Sequence, residues 1–190
     1  MKKIEKNLVL IGMRGSGKTA VGETLAKFLD FRFVDVDAEL EKSEQAKISE
    51  IVAEKGWEHF RDLETRYTKQ FAAEKAVVIS TGGGVVLRPE NVASLKKNGV
   101  VIFIHAPIEF LARRVAKNSN RPSLTGANPV AELAKVWAER EKFYRAAADV
   151  EVFFDFETKN KKTDLLRKSK LILKAVKSFA NSKGQIPISK

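Results

Sequence analysis

The stretch that decides the fold is NLVLI-GMRGSGKT, which runs from Asn7–Ile11 into Gly12–Thr19. The residues before the first glycine form a short, mostly apolar run typical of a buried strand, and apolar side chains recur at helical spacing after Lys18. The octet matches G-x-x-x-x-G-K-[ST] in full and lies between strand and helix, as that motif requires. We therefore predict a phosphate-binding loop; the alternative is a glycine-rich turn that binds nothing.

The residue types of this loop suit the phosphates of a nucleotide such as ATP. Its glycines allow conformations in which successive N–H groups point at one anion, and the start of the following helix favours negative charge. We predict that Lys18 reaches the β- and γ-phosphates and that the Thr19 hydroxyl ligates Mg²⁺. The predicted nucleotide-binding residues of the loop are Gly12, Arg14, Gly15, Ser16, Gly17, Lys18 and Thr19.

Around the loop, short apolar runs alternate with helical patterns, which is typical of an α/β fold. We predict strands at 7–11, 32–36, 76–80, 100–105 and 150–154, and helices at 18–29, 48–55, 57–73, 91–97, 107–117, 129–147 and 164–179. Because the strands are largely unbroken apolar runs, they indicate a parallel sheet with helices on both faces. Ligands of such sheets bind beyond the carboxyl ends of the strands, and the polar motifs follow the strands here.

Composition limits the possible functions. The net charge of the 190 residues is +11, but the segment 159–190 carries ten basic residues and only Asp164 as an acid, so the rest is nearly neutral. We interpret the helix and tail at 162–190 as a solvated basic face rather than a polyanion site. The chain has no cysteine and no apolar stretch of the ~20 residues that a membrane span needs. We expect one cytoplasmic, monomeric domain over 1–190 that binds neither membrane nor nucleic acid.

Two acids, Asp35 and Asp37, come at the end of the second predicted strand. Alternation along a strand puts residues two apart on the same side, so both are predicted to face the site if the strand extends that far. One carboxylate could help to hold Mg²⁺ through water, and the other could orient or deprotonate an acceptor hydroxyl. A pair that caps the next helix is an equally good interpretation of these residues alone.

Two further motifs supply a cation and exposed backbone. Arg61 and Glu64 are neighbours on a predicted helix, so the glutamate could orient the guanidinium toward a carboxylate; the alternative is a surface ion pair. The tripeptide Gly82–Gly84 follows the third strand and would admit a ligand in contact with the backbone; the alternative is a flexible turn.

The segment 117–129 contains asparagine, serine, proline and glycine without periodicity, so we predict a mobile lid there. Arg121 in this lid could stabilise charge on a transferring phosphoryl group. Arg140, on the following helix, could be a second clamp for a carboxylate. For each arginine, an ordinary surface position is the alternative.

In their order along the chain, these motifs resemble the shikimate kinase family from about Leu8 to Asp149. The matching segments are the phosphate loop, D-x-D, F-R-x-x-E, S-x-G-G-G, the R-P of the lid and R-x-x-x-Y-x-x-A at 140–147. The resemblance implies a P-loop kinase fold of three α/β/α layers with a five-stranded parallel sheet of order 2-3-1-4-5. It also implies that ATP phosphorylates the 3-hydroxyl of shikimate, a step of aromatic amino-acid biosynthesis.

On the donor side, the resemblance implies that Lys18 and Arg121 act in catalysis on the phosphates of ATP. Thr19 and Asp35 would bind Mg²⁺, Asp35 through water. Arg114 would lie against the adenine. The segment 154–160 departs from the family, which often has an arginine and a proline there, so the adenine contacts of that segment stay open.

On the acceptor side, the resemblance implies that Asp37 contacts the acceptor hydroxyl as the candidate base. The shikimate-binding region would lie at about 35–64. The implied shikimate-binding residues are Asp37, Arg61, Gly82, Gly83, Gly84 and Arg140, with Gly83 the best single candidate among the glycines. Two alternatives stay open: a kinase for another small hydroxy acid such as gluconate, and a non-catalytic nucleotide-binding module.

Overall fold

The computed structural model describes residues 3–4, 6–116, 129–183 and 188–189. The predicted lid, with Arg121, therefore lies outside the described residues except for Pro129, which begins a helix. No helix in the described ranges is both long and apolar enough to cross a membrane.

Five parallel strands form the central sheet, and two short strands form a separate antiparallel pair. The strands are β1 Lys3–Ile4, β2 Asn7–Ile11, β3 Arg32–Asp35, β4 Val77–Ser80, β5 Gly99–His105, β6 Val150–Phe153 and β7 Ile188–Ser189. The sheet order is β3-β4-β2-β5-β6, and β1 pairs with β7. Counted along the chain, the five sheet strands have the order 2-3-1-4-5, which confirms the predicted topology.

Seven α-helices surround the sheet in the described part of the chain. They are α1 Lys18–Leu29, α2 Val36–Glu44, α3 Ile48–Ala72, α4 Pro89–Asn98, α5 Ile108–Ala116, α6 Pro129–Ala147 and α7 Lys161–Lys183. The predicted break in α3 is present at Gly56, whose φ of 81° and ψ of 170° are not helical. A positive φ suits glycine because it has no Cβ.

The core has two halves, one on each face of the sheet. Successive residues of β2 point to opposite faces, so Val9 and Ile11 join one cluster while Leu8 and Leu10 join the other. The first cluster contains side chains of α2 to α6, and the second contains side chains of α1 and α7. This burial on both faces explains why the central strands are continuous apolar runs.

The region after β3 differs from the prediction. The strand ends at Asp35, and α2 begins at Val36, so the argument from strand alternation is wrong. Asp35 is the N-cap of α2: its Oδ1 accepts a hydrogen bond from the backbone N–H of Ala38 at 3.3 Å. Asp37 lies in the first turn of α2. The helix-capping alternative is therefore correct for Asp35.

Candidate active site

The phosphate loop joins β2 to α1 and takes a shape that only glycine permits. Gly12 and Gly15 have φ values of 145° and 82°. A Cβ at Gly12 would overlap the carbonyl oxygen of Ile104, and one at Gly15 would lie 3.0 Å from that of Leu111. The glycines of the motif therefore allow the loop to pass close to the end of β5 and to α5.

Two side chains of the loop point into it. The Nζ atom of Lys18 donates hydrogen bonds to the carbonyl oxygens of Gly12 at 2.9 Å and Met13 at 3.0 Å. The Ser16 hydroxyl is buried and has no hydrogen-bond partner among the described residues. A buried hydroxyl without a partner is costly, so Ser16 supplies a donor that an oxyanion such as phosphate would satisfy.

Three side-chain oxygen atoms meet where β3 and β4 end beside α1. Asp35 Oδ2 accepts a hydrogen bond from Thr19 Oγ1 at 2.7 Å and another from Ser80 Oγ at 3.1 Å. Mg²⁺ prefers such hard oxygen atoms and is usually held by one or two carboxylates together with substrate phosphates. The residues present therefore fit the predicted Mg²⁺ site. Sequence reasoning did not assign Ser80 to it.

The glycine tripeptide (Gly82–Gly84) lies against the acceptor-side residues. A Cβ at Gly82 would lie 2.5 Å from Glu64 Oε1 and 2.8 Å from Asp37 Oδ1. A Cβ at Gly84 would overlap the guanidinium group of Arg61. A side chain at either position would have to displace these groups, because carboxylates and a guanidinium group pack directly on the backbone.

The middle residue, Gly83, connects the tripeptide to α6 and to the phosphate loop. Its carbonyl oxygen accepts hydrogen bonds from Arg140 Nη1 at 3.1 Å and from the Tyr144 hydroxyl at 2.5 Å. A Cβ placed at Gly83 would lie 3.5 Å from the backbone nitrogen of Arg14 and 3.6 Å from the carbonyl oxygen of Gly12. The tripeptide therefore contacts both the acceptor-side side chains and the phosphate loop.

Arg61 is held in place on α3 by charge and by aromatic rings. It forms an ion pair with Glu64 at 2.5 Å, and the side chains of the two residues are only 14% and 1% exposed. The guanidinium carbon lies 5.5 Å from the centroid of the Trp57 ring and 5.1 Å from that of Phe60. The predicted alternative of a surface ion pair is therefore wrong. This pair is mostly buried, and its guanidinium group is pre-oriented.

Tyr144 is a site residue to which sequence reasoning gave no role. Its ring stacks on Phe103 with centroids 5.1 Å apart, and burial raises the pKa of its hydroxyl from 10.0 to about 12, although nearby Arg140 opposes that shift. The hydroxyl thus stays a neutral donor to Gly83. The spacing of four residues from Arg140 was the available signal, since it puts both side chains on one face of α6.

Arg114, predicted on the adenine side, lies on α5 next to the phosphate loop. Its Nη1 donates a hydrogen bond to the carbonyl oxygen of Gly15 at 3.0 Å, and its Nε donates to Glu157 Oε1 at 2.7 Å. Glu157 belongs to the segment that departs from the family pattern. Arg121, also predicted for the site, lies outside the described residues.

Comparison with known proteins identifies a family. A family model described as shikimate kinase matches residues 14–172. The shikimate kinase of Persephonella marina is 42% identical over 147 residues, which cover 77% of this chain and 88% of the relative. The shikimate kinase of Nitratidesulfovibrio vulgaris is 45% identical over 142 residues, which cover 73% of this chain and 81% of the relative.

Solved structures agree with the sequence comparisons. The shikimate kinase from Acinetobacter baumannii in complex with shikimate aligns with a TM-score of 0.81 and 32% identity, covering 91% of this chain and 93% of that one. The shikimate kinase from Aquifex aeolicus aligns with a TM-score of 0.76 and 33% identity, covering 93% and 98%. A gluconokinase from Sinorhizobium meliloti aligns at 17% identity with a TM-score of 0.52, which is a likeness of fold alone.

Proposed function

The chain belongs to the shikimate kinase family, and from that premise we infer that it transfers the γ-phosphoryl group of ATP to the 3-hydroxyl of shikimate. The observation that carries this inference is the convergence on Gly82–Gly84. Asp37, Arg61 and Arg140 all contact this tripeptide, and the tripeptide lies directly against the phosphate loop. A donor site for phosphate and a site suited to a hydroxylated acid thus share one wall.

We assign the carboxylate of shikimate to Arg61 and Arg140. A guanidinium group presents parallel N–H donors that match a carboxylate, and the buried ion pair with Glu64 supports a fixed orientation for Arg61. Arg140 contacts Gly83 and Arg61 lies against the adjacent Gly84, so the two arginines meet the same short backbone segment. Two fixed cations would orient the small acid and direct its hydroxyl group toward the donor.

We assign Asp37 to the acceptor hydroxyl. Its position beside Gly82, in the first turn of α2, supports a role next to the bound acid. Phosphoryl transfer depends mainly on positioning and charge stabilisation, so Asp37 can act by orienting the hydroxyl and accepting its proton late, without being a strong base. Holding two reactants in line lowers the barrier by as much as ~7–11 kcal/mol.

We assign the phosphoryl donor, ATP, to the phosphate loop. Lys18 and the backbone N–H groups of the loop would bind the phosphates, and the orphan hydroxyl of Ser16 supports an anion there. Thr19 and Asp35 would hold Mg²⁺, which neutralises phosphate charge when it is bound. Arg121 as a lid residue, the cytoplasmic location and the monomeric state remain predictions from the sequence.

Purified protein tests the proposal in a coupled ADP-release assay with shikimate and with gluconate as separate acceptors. We expect ADP release that depends on shikimate, with phosphorus NMR showing a phosphate monoester on the 3-hydroxyl, and only background release with gluconate. Turnover with gluconate and not with shikimate would contradict the proposal. ATP binding without turnover on either acceptor would instead favour a nucleotide-binding module.

A further inference from the structure

One guanidinium group connects the phosphate loop to the segment after β6. Arg114 donates to Gly15 of the loop through Nη1 and to Glu157 through Nε, and Nη2 also contacts the same carboxylate oxygen of Glu157. All three nitrogen atoms of the Arg114 guanidinium group thus contact an oxygen atom of Gly15 or Glu157. The plane of the guanidinium group is therefore held at the edge of the phosphate loop, although the side chain is 26% exposed.

The segment that carries Glu157 is itself fixed to α7. The backbone N–H of Thr158 donates to Asp164 Oδ1 at 3.1 Å, while Asp164 Oδ2 accepts from Lys168 Nζ at 2.5 Å. The Lys168 side chain is only 3% exposed, and its ammonium group lies 5.4 Å from the centroid of the Phe156 ring. A buried ion pair therefore holds the backbone next to Glu157, so the carboxylate has a defined place from which to bind Arg114.

We propose that Glu157 is a positioning residue for the nucleotide base: it holds the Arg114 guanidinium plane where the adenine of ATP can stack on it. The inference rests on the proposed function and on the place that the family resemblance implies for Arg114, against the adenine. Guanidinium planes stack on aromatic faces, and a side chain already held in its bound orientation loses less freedom when the ligand binds. At this place the family often has an arginine and a proline, whereas this chain uses an acidic partner for Arg114.

Calorimetric titration with ADP, in the absence of shikimate, tests the role of Glu157. The proteins compared are the wild type, Glu157→Gln, Arg114→Gln and the double variant. Because the ion pair is partly exposed, we expect Glu157→Gln to weaken ADP binding by about three- to fivefold. In the Arg114→Gln background the same change should have no further effect, since Glu157 acts through Arg114.

Glu74→Gln is a matched control. Glu74 forms a similar ion pair with Arg32, with 31% and 54% exposure of the two side chains, at the opposite end of β3 from the site. Loss of the Arg32–Glu74 ion pair should leave ADP affinity unchanged. A Glu157→Gln variant that binds ADP like the wild type would overturn the proposal, and so would a loss that is equally large in the Arg114→Gln background.

Two further measurements separate positioning from other effects. Shikimate affinity should be unchanged in Glu157→Gln, and pyrophosphate affinity should change less than ADP affinity, because pyrophosphate has no base. An equal loss for pyrophosphate would overturn the proposed role at the base. Wild-type turnover with shikimate is measured in parallel: its absence would contradict the proposed function, while the ADP titrations would still test Glu157.

Discussion

The phosphate loop and the acceptor site meet at the glycine tripeptide and are built in different ways. The loop comes from one contiguous octet between β2 and α1, and its key contacts, such as Lys18 to Gly12, join residues that are close in sequence. The acceptor site assembles Asp37 of α2, Arg61 of α3 and Arg140 of α6 around Gly82–Gly84. Its geometry therefore depends on the packing of three helices.

This difference implies that the two sites can be damaged separately. Changes at the acceptor site should lower shikimate turnover or affinity while leaving ADP binding intact, because the loop carries its own contacts. Changes in the glycine tripeptide are an exception, because Gly83 lies close to the backbone of Arg14 and Gly12 in the phosphate loop. Four variants, ordered by expected effect, test how the acceptor site is built.

Asp37→Asn should have the largest effect. An amide cannot accept the hydroxyl proton, so we expect shikimate turnover to fall by about 10²–10⁴-fold. ADP affinity by calorimetry and the circular dichroism spectrum should match the wild type. Near-normal turnover would remove Asp37 from its proposed role, and a parallel loss of ADP binding would break the separation of the two sites.

Gly82→Ala should have the next largest effect. The added methyl group would lie 2.5 Å from Glu64 Oε1 and 2.8 Å from Asp37 Oδ1, so these carboxylates must move. We expect a rise of at least about tenfold in the KM for shikimate and a loss of about 1–3 kcal/mol in the free energy of unfolding.

Gly83→Ala is the matched control for the predicted loss in the free energy of unfolding of Gly82→Ala. A methyl group there would meet its nearest neighbours at 3.5–3.6 Å, which is ordinary contact. Its free energy of unfolding, measured by urea denaturation, should therefore stay close to the wild-type value. Equal destabilisation by the two alanine variants would contradict the packing described for Gly82.

Arg61→Lys should have a smaller effect, which is limited to the binding of shikimate. Lysine keeps the charge but loses the paired N–H donors, so we expect the KM for shikimate to rise by roughly tenfold with little change in kcat. Arg66→Lys, on the same helix, replaces an exposed arginine that pairs with Glu44, and it should leave the KM unchanged. An unchanged KM in Arg61→Lys would exclude Arg61 from carboxylate binding.

Tyr144→Phe should have the smallest effect of the four variants at neutral pH. Its measurable consequence is a change in how the free energy of unfolding depends on pH above about pH 9. Burial raises the pKa of Tyr144 to about 12, so folding favours the neutral phenol. The resulting stability is fully present below the unfolded pKa near 10 and is lost as pH rises through about 12. Between about pH 9 and about pH 11, the wild type should lose about 1.4 kcal/mol more unfolding free energy than Tyr144→Phe. Equal losses in urea denaturation would contradict the raised pKa.

The same contrast explains how much the sequence can predict. The loop was predictable because its motif is one contiguous octet, and the sheet order followed from the family resemblance. The prediction missed helix α2 because its stretch VDAELEKSE is mostly polar. Asp35 and Asp37 were predicted to share one side of a strand, whereas Asp35 caps α2 and Asp37 lies in its first turn. The hydrogen bond from Tyr144 to Gly83 spans 61 residues, and no local pattern encodes such a contact.

The central claim is that two fixed arginines at the glycine tripeptide recognise the carboxylate of the acceptor. The most direct test compares initial rates of ADP release with shikimate and with its uncharged carboxamide on the wild-type protein. Because a desolvated arginine–carboxylate pair is lost, we predict that kcat/KM falls by at least about thirtyfold with the carboxamide. Equal kcat/KM values for the two acceptors would contradict the account.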